Sequence, residues 1–162
     1  MTETRVDPRQ SPGSFAPVVA LVAITDEARA ALAGRLEVRM NAFPCTIGRE
    51  SRSKRRADSA LAELRLGRAP EVNDLYLMER SWADSLHISR EHFAIEHAGS
   101  QFFLVDRGSA CGTIVSGTHV GGERTGGRTE LRSGDEITVG TGTSPYLFRF
   151  VVLSEGSGSP AC

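Results

Sequence analysis

Phe93-Ala94-Ile95-Glu96 and Phe102-Phe103-Leu104-Val105, joined by His97-Ala98-Gly99-Ser100, decide the fold class. Both runs are short, rich in aromatic and aliphatic residues, and linked by a glycine-bearing turn, which is the pattern of paired strands and too short for helices. Similar runs follow at Thr113-Ile114-Val115, Glu136-Ile137-Thr138-Val139 and Tyr146 to Val152, with turns such as Ser133-Gly134-Asp135 between them. Short strands at this spacing predict an all-β sandwich or barrel.

The same period of two extends backwards. Leu36, Val38 and Met40 alternate with Glu37 and Arg39, and Phe43 to Ile47 begins another strand after a turn at Asn41-Ala42. Val18 to Ile24 is a continuous apolar run read as a buried strand, followed by Thr25-Asp26 as an N-cap for a short helix that Gly34 ends. This run has about the length of a signal-peptide core and Ala28-Arg29-Ala30 imitates a cleavage site, but Glu3 and Asp7 spoil the positive leader, so the strand reading is preferred. Residues 1–14 and 154–162 carry no apolar pattern and read as a disordered leader and tail. Residues 15–35 form a strand-helix extension and 36–153 the main domain. Within it, about 50–70 is a basic helical insertion, with Arg52, Lys54, Arg55 and Arg56 ahead of a cap at Asp58 or Ser59.

Composition narrows the function. The 162 residues carry Lys+Arg 19 against Asp+Glu 20, so the chain lacks the basic excess expected of a nucleic-acid binder. Its longest apolar run, Ala16 to Ile24, is far short of the ~20 residues a spanning helix needs, so no membrane association is expected. Cys45, Cys111 and Cys162 are odd in number and far apart, which suggests neither a disulfide framework nor a zinc ribbon and fits a cytoplasmic setting. His87, His92 and His97 recur every fifth residue, putting neighbours on opposite strand faces, so no shared metal is expected. Cys111 with His92 or His119 lacks the third orienting group and the helix N-terminus that would make a thiolate nucleophile, and a small turn residue is the preferred reading. Trp82 reads as core or rim packing.

The candidate chemistry is spread over three loops: Gly48-Arg49 ends a strand, Ser89-Arg90-Glu91-His92 precedes the Phe93 strand, and Asp106 to Thr113 is a glycine-rich turn. Arginine forks and a serine hydroxyl at the rim of a β-scaffold suit a phosphate, through charge-assisted donors and one short directional bond. Loops hold such groups on a rigid sheet.

In order, Phe43 to Arg49, Asn73-Asp74-Leu75-Tyr76-Leu77, Ile88 to Phe93, Val105 to Val115, Ser116-Gly117 and Leu131 to Gly140 resemble the forkhead-associated (FHA) family of phosphothreonine-peptide-binding domains. The resemblance implies an FHA/SMAD-like β-sandwich of about eleven strands, with no catalysis and no cofactor. It implies that Arg49 contacts phosphate or peptide backbone, that Ser89 bonds phosphate, and that Arg90 adds a peptide-facing charge. Gly48, His92, Gly112 and Thr113 correspond to the family's structural motif. The implied partner is a phosphothreonine-containing protein, a Ser/Thr kinase or its substrate; the oligomeric state is not indicated.

Three departures stand out. Where the family usually has Thr-Asn-Gly-Thr, this chain has Ala110-Cys111-Gly112-Thr113, which removes a hydroxyl and an amide from the binding turn. Each hydrogen bond lost to a charged ligand costs roughly 1.5–3 kcal/mol, about tenfold in affinity or more. Ser116 replaces a second asparagine, with a smaller expected effect. The third is a second Gly-Arg pair, Gly67-Arg68, inside the long gap before Ser89, so either Arg49 or Arg68 can be the ligand-facing arginine; the alternating strand before Arg49 favours it. A scaffold of the same fold that binds a protein partner without regard to phosphorylation is the alternative function.

Overall fold

The computed structural model describes residues 16–49, 73–79 and 86–154. The expected leader, the basic insertion with Arg68, Trp82, Cys162 and the tail beyond Ser154 lie outside these residues. Among the described residues, eleven strands and one short helix follow in the order β1 (Val18–Ala23), α1 (Asp26–Ala31), β2 (Glu37–Met40), β3 (Cys45–Arg49), β4 (Leu75–Leu77), β5 (Phe93–Ala98), β6 (Gln101–Asp106), β7 (Thr113–Val115), β8 (Thr118–Val120), β9 (Gly127–Leu131), β10 (Glu136–Val139) and β11 (Leu147–Ser154).

The strands form two sheets, β2-β1-β11-β10-β7-β8 and β4-β3-β5-β6-β9. Each presents an apolar face to the other, and Leu21, Phe148, Phe150 and Ile137 of one meet Ile47, Phe93, Ile95 and Leu104 of the other in a core with no solvent exposure at these side chains. Every pairing is antiparallel except β3 with β4, where Ile47 faces Leu75 and Arg49 faces Leu77. A parallel pair needs a crossover, and that connection is the long segment between Arg49 and Asn73.

The strand expected as an N-terminal extension is β1, which lies between β2 and β11, antiparallel to both, with one register shift against β11 between Val18 and Val19. Thr25 caps α1 by accepting from the Ala28 amide at 3.2 Å, and its hydroxyl donates to the Pro145 carbonyl at 2.5 Å, pinning the helix to the β10–β11 loop. Strands β8 and β9 do not stand out from the sequence. Their residues Thr-His-Val and Gly-Arg-Thr-Glu-Leu bury little besides Val120 and Leu131, so the alternation that marks the other strands is absent.

Strand register gathers the loops at one end. Thr113 of β7 pairs with Val139 and Val120, and the Gly140 amide donates to Gly112 at 2.9 Å. The Arg107 amide donates to His92, the Arg49 amide to Ser89, and the Met78 amide to Ala31, each at 2.9 Å. The ends of β3, β6, β8 and β10 thus meet the starts of β5 and β7 in one surface, and Met78, just after β4, bonds the end of α1.

Candidate phosphopeptide-binding site

His92 ties this surface together from below. Its side chain is completely buried, Nδ1 accepts from the Ser89 amide at 2.9 Å, and Nε2 lies 2.8 Å from the Gly112 carbonyl. Only the neutral Nε2–H tautomer satisfies both bonds. Burial holds the His92 pKa below its ordinary 6.5, against the opposing pull of the Gly112 carbonyl and of Asp106. One imidazole therefore fixes the distance between the Ser89 loop and the Ser109–Gly112 turn.

The turn is wired by Asp106. This buried carboxylate accepts from the Gly108 amide at 2.8 Å, the Ser109 amide at 3.0 Å and the Ser109 hydroxyl, and the Ser109 oxygen in turn accepts from the Gly112 amide at 3.0 Å. Charge-assisted bonds of this kind are the stronger class, and they leave the turn a single shape. Gly112 has a φ of 75°, and a Cβ there would lie 3.0 Å from the Val120 carbonyl, so the turn requires glycine on both counts. The Thr113 hydroxyl is buried and, among the described residues, has no hydrogen-bond partner.

The Ser89 loop is held from three sides. The Glu79 carboxylate accepts from the His87 and Ile88 amides at 2.8 and 3.0 Å. Asn73, buried, donates to the Arg90 carbonyl at 2.7 Å and accepts from Arg107, whose guanidinium also reaches Glu91 at 3.3 Å. Gly48 lies directly under the loop: a Cβ there would come 1.9 Å from the Arg90 carbonyl oxygen and 2.7 Å from Asn73 Nδ2. Glycine at 48 is a requirement of close backbone approach.

Above this scaffold lie the side chains predicted to face a ligand. Arg49 is half-buried at the end of β3 and Arg90 is exposed; among the described residues neither meets a carboxylate. Ser89 Oγ accepts from the Ala110 amide at 3.0 Å, which orients the hydroxyl and leaves its proton for a further acceptor. Ala110 is exposed and contributes no polar side-chain atom; Cys111 is half-buried, with Sγ 3.5 Å from the Leu86 carbonyl. The structure thus brings together Gly48, Arg49, Ser89, Arg90, His92, Ala110, Cys111, Gly112 and Thr113. Cys45 is buried in β3, and burial, aided by Asp74, raises its thiol to about 11, so it is a core residue. His97 is packed against Phe102 with ring centroids 4.7 Å apart.

Asn73, Glu79 and Arg107 hold the site, although residue patterns alone did not mark them out. Asn73 falls inside a stretch that resembles the family, which was a signal. Glu79 acts on amides eight and nine residues downstream, and no local pattern encodes that.

Comparison with known proteins bears on the family and the fold. The FHA domain family model matches residues 64–140, a span that takes in Gly67-Arg68 and leaves out Gly48-Arg49. No curated protein sequence matches the chain. Among solved structures, the FHA domain of the CT664 protein from Chlamydia trachomatis superposes with a TM-score of 0.52 at 19% identity, covering 85% of this chain and 99% of that one. The yeast Pml1 splicing factor gives 0.52 at 19% identity over 87% and 83% of the two chains. An engineered FHA domain solved with a Myc-pTBD peptide gives 0.51 at 18% identity over 85% and 92%. With the sheet order described above and the sequence match over β4 to β10, the chain contains a forkhead-associated domain.

Proposed function

We propose that the chain is a phosphothreonine-dependent peptide-binding module, not an enzyme, and that Arg49 and Ser89 grip the phosphate. The observation that carries this reading is the Ser89 hydroxyl: fixed by the Ala110 amide, backed by His92, and flanked by two arginines without carboxylate partners among the described residues. A dianionic group placed there would receive one hydroxyl bond and two guanidinium forks without displacing an existing ion pair. Arg49 is preferred over Arg68 because Gly48-Arg49 bonds directly to the Ser89 loop, through the Arg49 amide at 2.9 Å and the close approach of Gly48. The start of the family match at residue 64 favours the other pair, and the choice is open to experiment.

A second reading has its own support. Ala110 and Cys111 offer neither hydroxyl nor amide to a ligand, which fits a partner recognised without phosphate. Binding of the full chain to a phosphothreonine peptide library, with unphosphorylated, phosphoserine and acidic controls, separates the two. The module reading expects phosphothreonine-selective binding that Arg49→Ala abolishes and Arg68→Ala leaves intact. Loss in Arg68→Ala alone would transfer the role to the other motif, and absence of any binding across the library would favour the scaffold. Implied partners are phosphorylated proteins, including a Ser/Thr kinase or its substrate in cytoplasmic signalling.

A further inference from the structure

The β8–β9 connection carries a feature that the phosphate site does not use. The Thr125 amide donates to the Gly122 carbonyl at 3.0 Å, closing a tight turn whose two central residues, Glu123 and Arg124, have φ of 51° and 60°. Positive φ at both central positions is the territory of Asn and Gly, and charged L-residues are strained there. Glycines flank the turn at 121, 122, 126 and 127, yet the two most strained positions hold large side chains. Strain kept at such a place points to a use for the side chains.

Position supplies the use. The Glu123 amide donates to the Ala110 carbonyl at 2.9 Å and the Arg124 amide to the Ser109 carbonyl at 3.0 Å, so the turn lies along the outer side of the binding turn. The Ala110 amide bonds Ser89 Oγ, which leaves the Arg124 backbone one short relay from the phosphate-facing hydroxyl. The base is rigid, because Gly121 packs so closely on Asp106 that a Cβ would lie 2.1 Å from its carboxyl carbon. Arg124 is exposed and, among the described residues, meets no carboxylate, whereas Arg128 four residues on lies 3.8 Å over the Phe103 ring and 3.9 Å from Glu96.

We propose that this turn is a second reading element of the same site, in which Arg124 takes the carboxylate of an acidic residue flanking the phosphothreonine. The proposal rests on the phosphothreonine reading above. The hydrogen-bonded backbone of the turn fixes where the Arg124 side chain starts, beside a binding turn that lacks the usual polar side chains at 110 and 111.

The test is calorimetric titration of the full chain with phosphothreonine peptides in which a single glutamate is walked through the positions on either side of the phosphoresidue, against an all-alanine background. At one position glutamate is expected to raise wild-type affinity about three- to fivefold, a gain that Arg124→Gln removes while phosphothreonine dependence stays. Arg124→Gly is expected to lose the same gain while raising the melting temperature, since glycine relieves the positive φ, and this separates recognition from folding. An identical position profile in wild type and Arg124→Gln, or no position favouring glutamate, overturns the inference and leaves the phosphothreonine reading standing. Failure of wild type to bind any phosphothreonine peptide overturns both.

Discussion

The arginines of the two regions behave differently. Along the strands, Arg39, Arg128, Arg132 and Arg149 each meet a glutamate, at 3.1, 3.9, 3.2 and 3.2 Å. At the loop end, Arg29, Arg35, Arg49, Arg90 and Arg124 meet no carboxylate among the described residues, and Arg107, the exception, joins Glu91 to Asn73 inside the scaffold. Exposed pairs on strand faces contribute about 0–1 kcal/mol each, so their value lies in neutralising the sheet surface. At the loop end five guanidinium groups are thus left without a carboxylate in contact among the described residues. Under the proposed function Arg49 and Arg90 among them are the groups that meet the phosphate and its flanking residues.

A second division runs through that end itself. Beneath are the satisfied groups, His92, Asp106, Asn73 and Glu79, with their acceptors and donors spent on backbone and on other scaffold side chains; above are Arg49, Ser89 and Arg90, with donors left over. If the division is real, substitutions below should unfold the protein and substitutions above should only cost it ligand.

The largest effect is expected from His92→Ala, which strands the Ser89 amide and the Gly112 carbonyl and leaves a cavity; denaturant unfolding should show a loss of about 3–5 kcal/mol, with binding lost too. Gly48→Ala, which drives a methyl into the Arg90 carbonyl, should cost about 2–4 kcal/mol in the same assay. A wild-type-like midpoint for either would break the comparison. Arg49→Ala, by contrast, should stay within about 0.5 kcal/mol of wild type in stability while losing at least about tenfold in phosphopeptide affinity.

Acid sharpens the same contrast. The folded state holds the His92 pKa below 6.5, so the unfolded chain takes up the proton first as pH falls. The contribution of His92 is complete above about pH 6.5 and declines as pH drops through that value towards its folded pKa. Thermal melts between about pH 7 and pH 5 should show a falling midpoint, and the fall should be shallower in His92→Gln. Equal slopes would remove His92 as the cause. The smallest effect is expected from Thr113→Val. Its hydroxyl has no partner among the described residues, so melting should change by under about 1 kcal/mol in either direction despite complete burial.

The core strands were legible where a buried face imposes a period of two, as in β6, where Phe102, Leu104 and Asp106 are buried and their neighbours are not; the Leu36 to Met40 alternation marked β2, although Leu36 itself is exposed. Thr25 as a cap was legible for the same reason: a local rule had a local outcome. Strands β8 and β9, which sit at the edges of different sheets, were not, because they bury few side chains and the turn between them breaks the rule that positive φ belongs to glycine or asparagine. At the site, Arg49, Ser89, Arg90 and His92 could be named from motifs. The bonds that make them a site are tertiary: Glu79 over the His87 and Ile88 amides, Asn73 on the Arg90 carbonyl, Gly48 beneath it.

The measurement closest to the central claim is calorimetric titration of the full chain with one phosphothreonine peptide and its unphosphorylated twin at low and high salt, for wild type and Arg49→Ala of verified stability. Wild type is expected to bind in a phosphate-dependent way that weakens as salt rises, and Arg49→Ala to bind at least about tenfold more weakly with a flatter salt response. Equal affinity for the two peptides, or an Arg49→Ala variant that binds as wild type does, would contradict that claim.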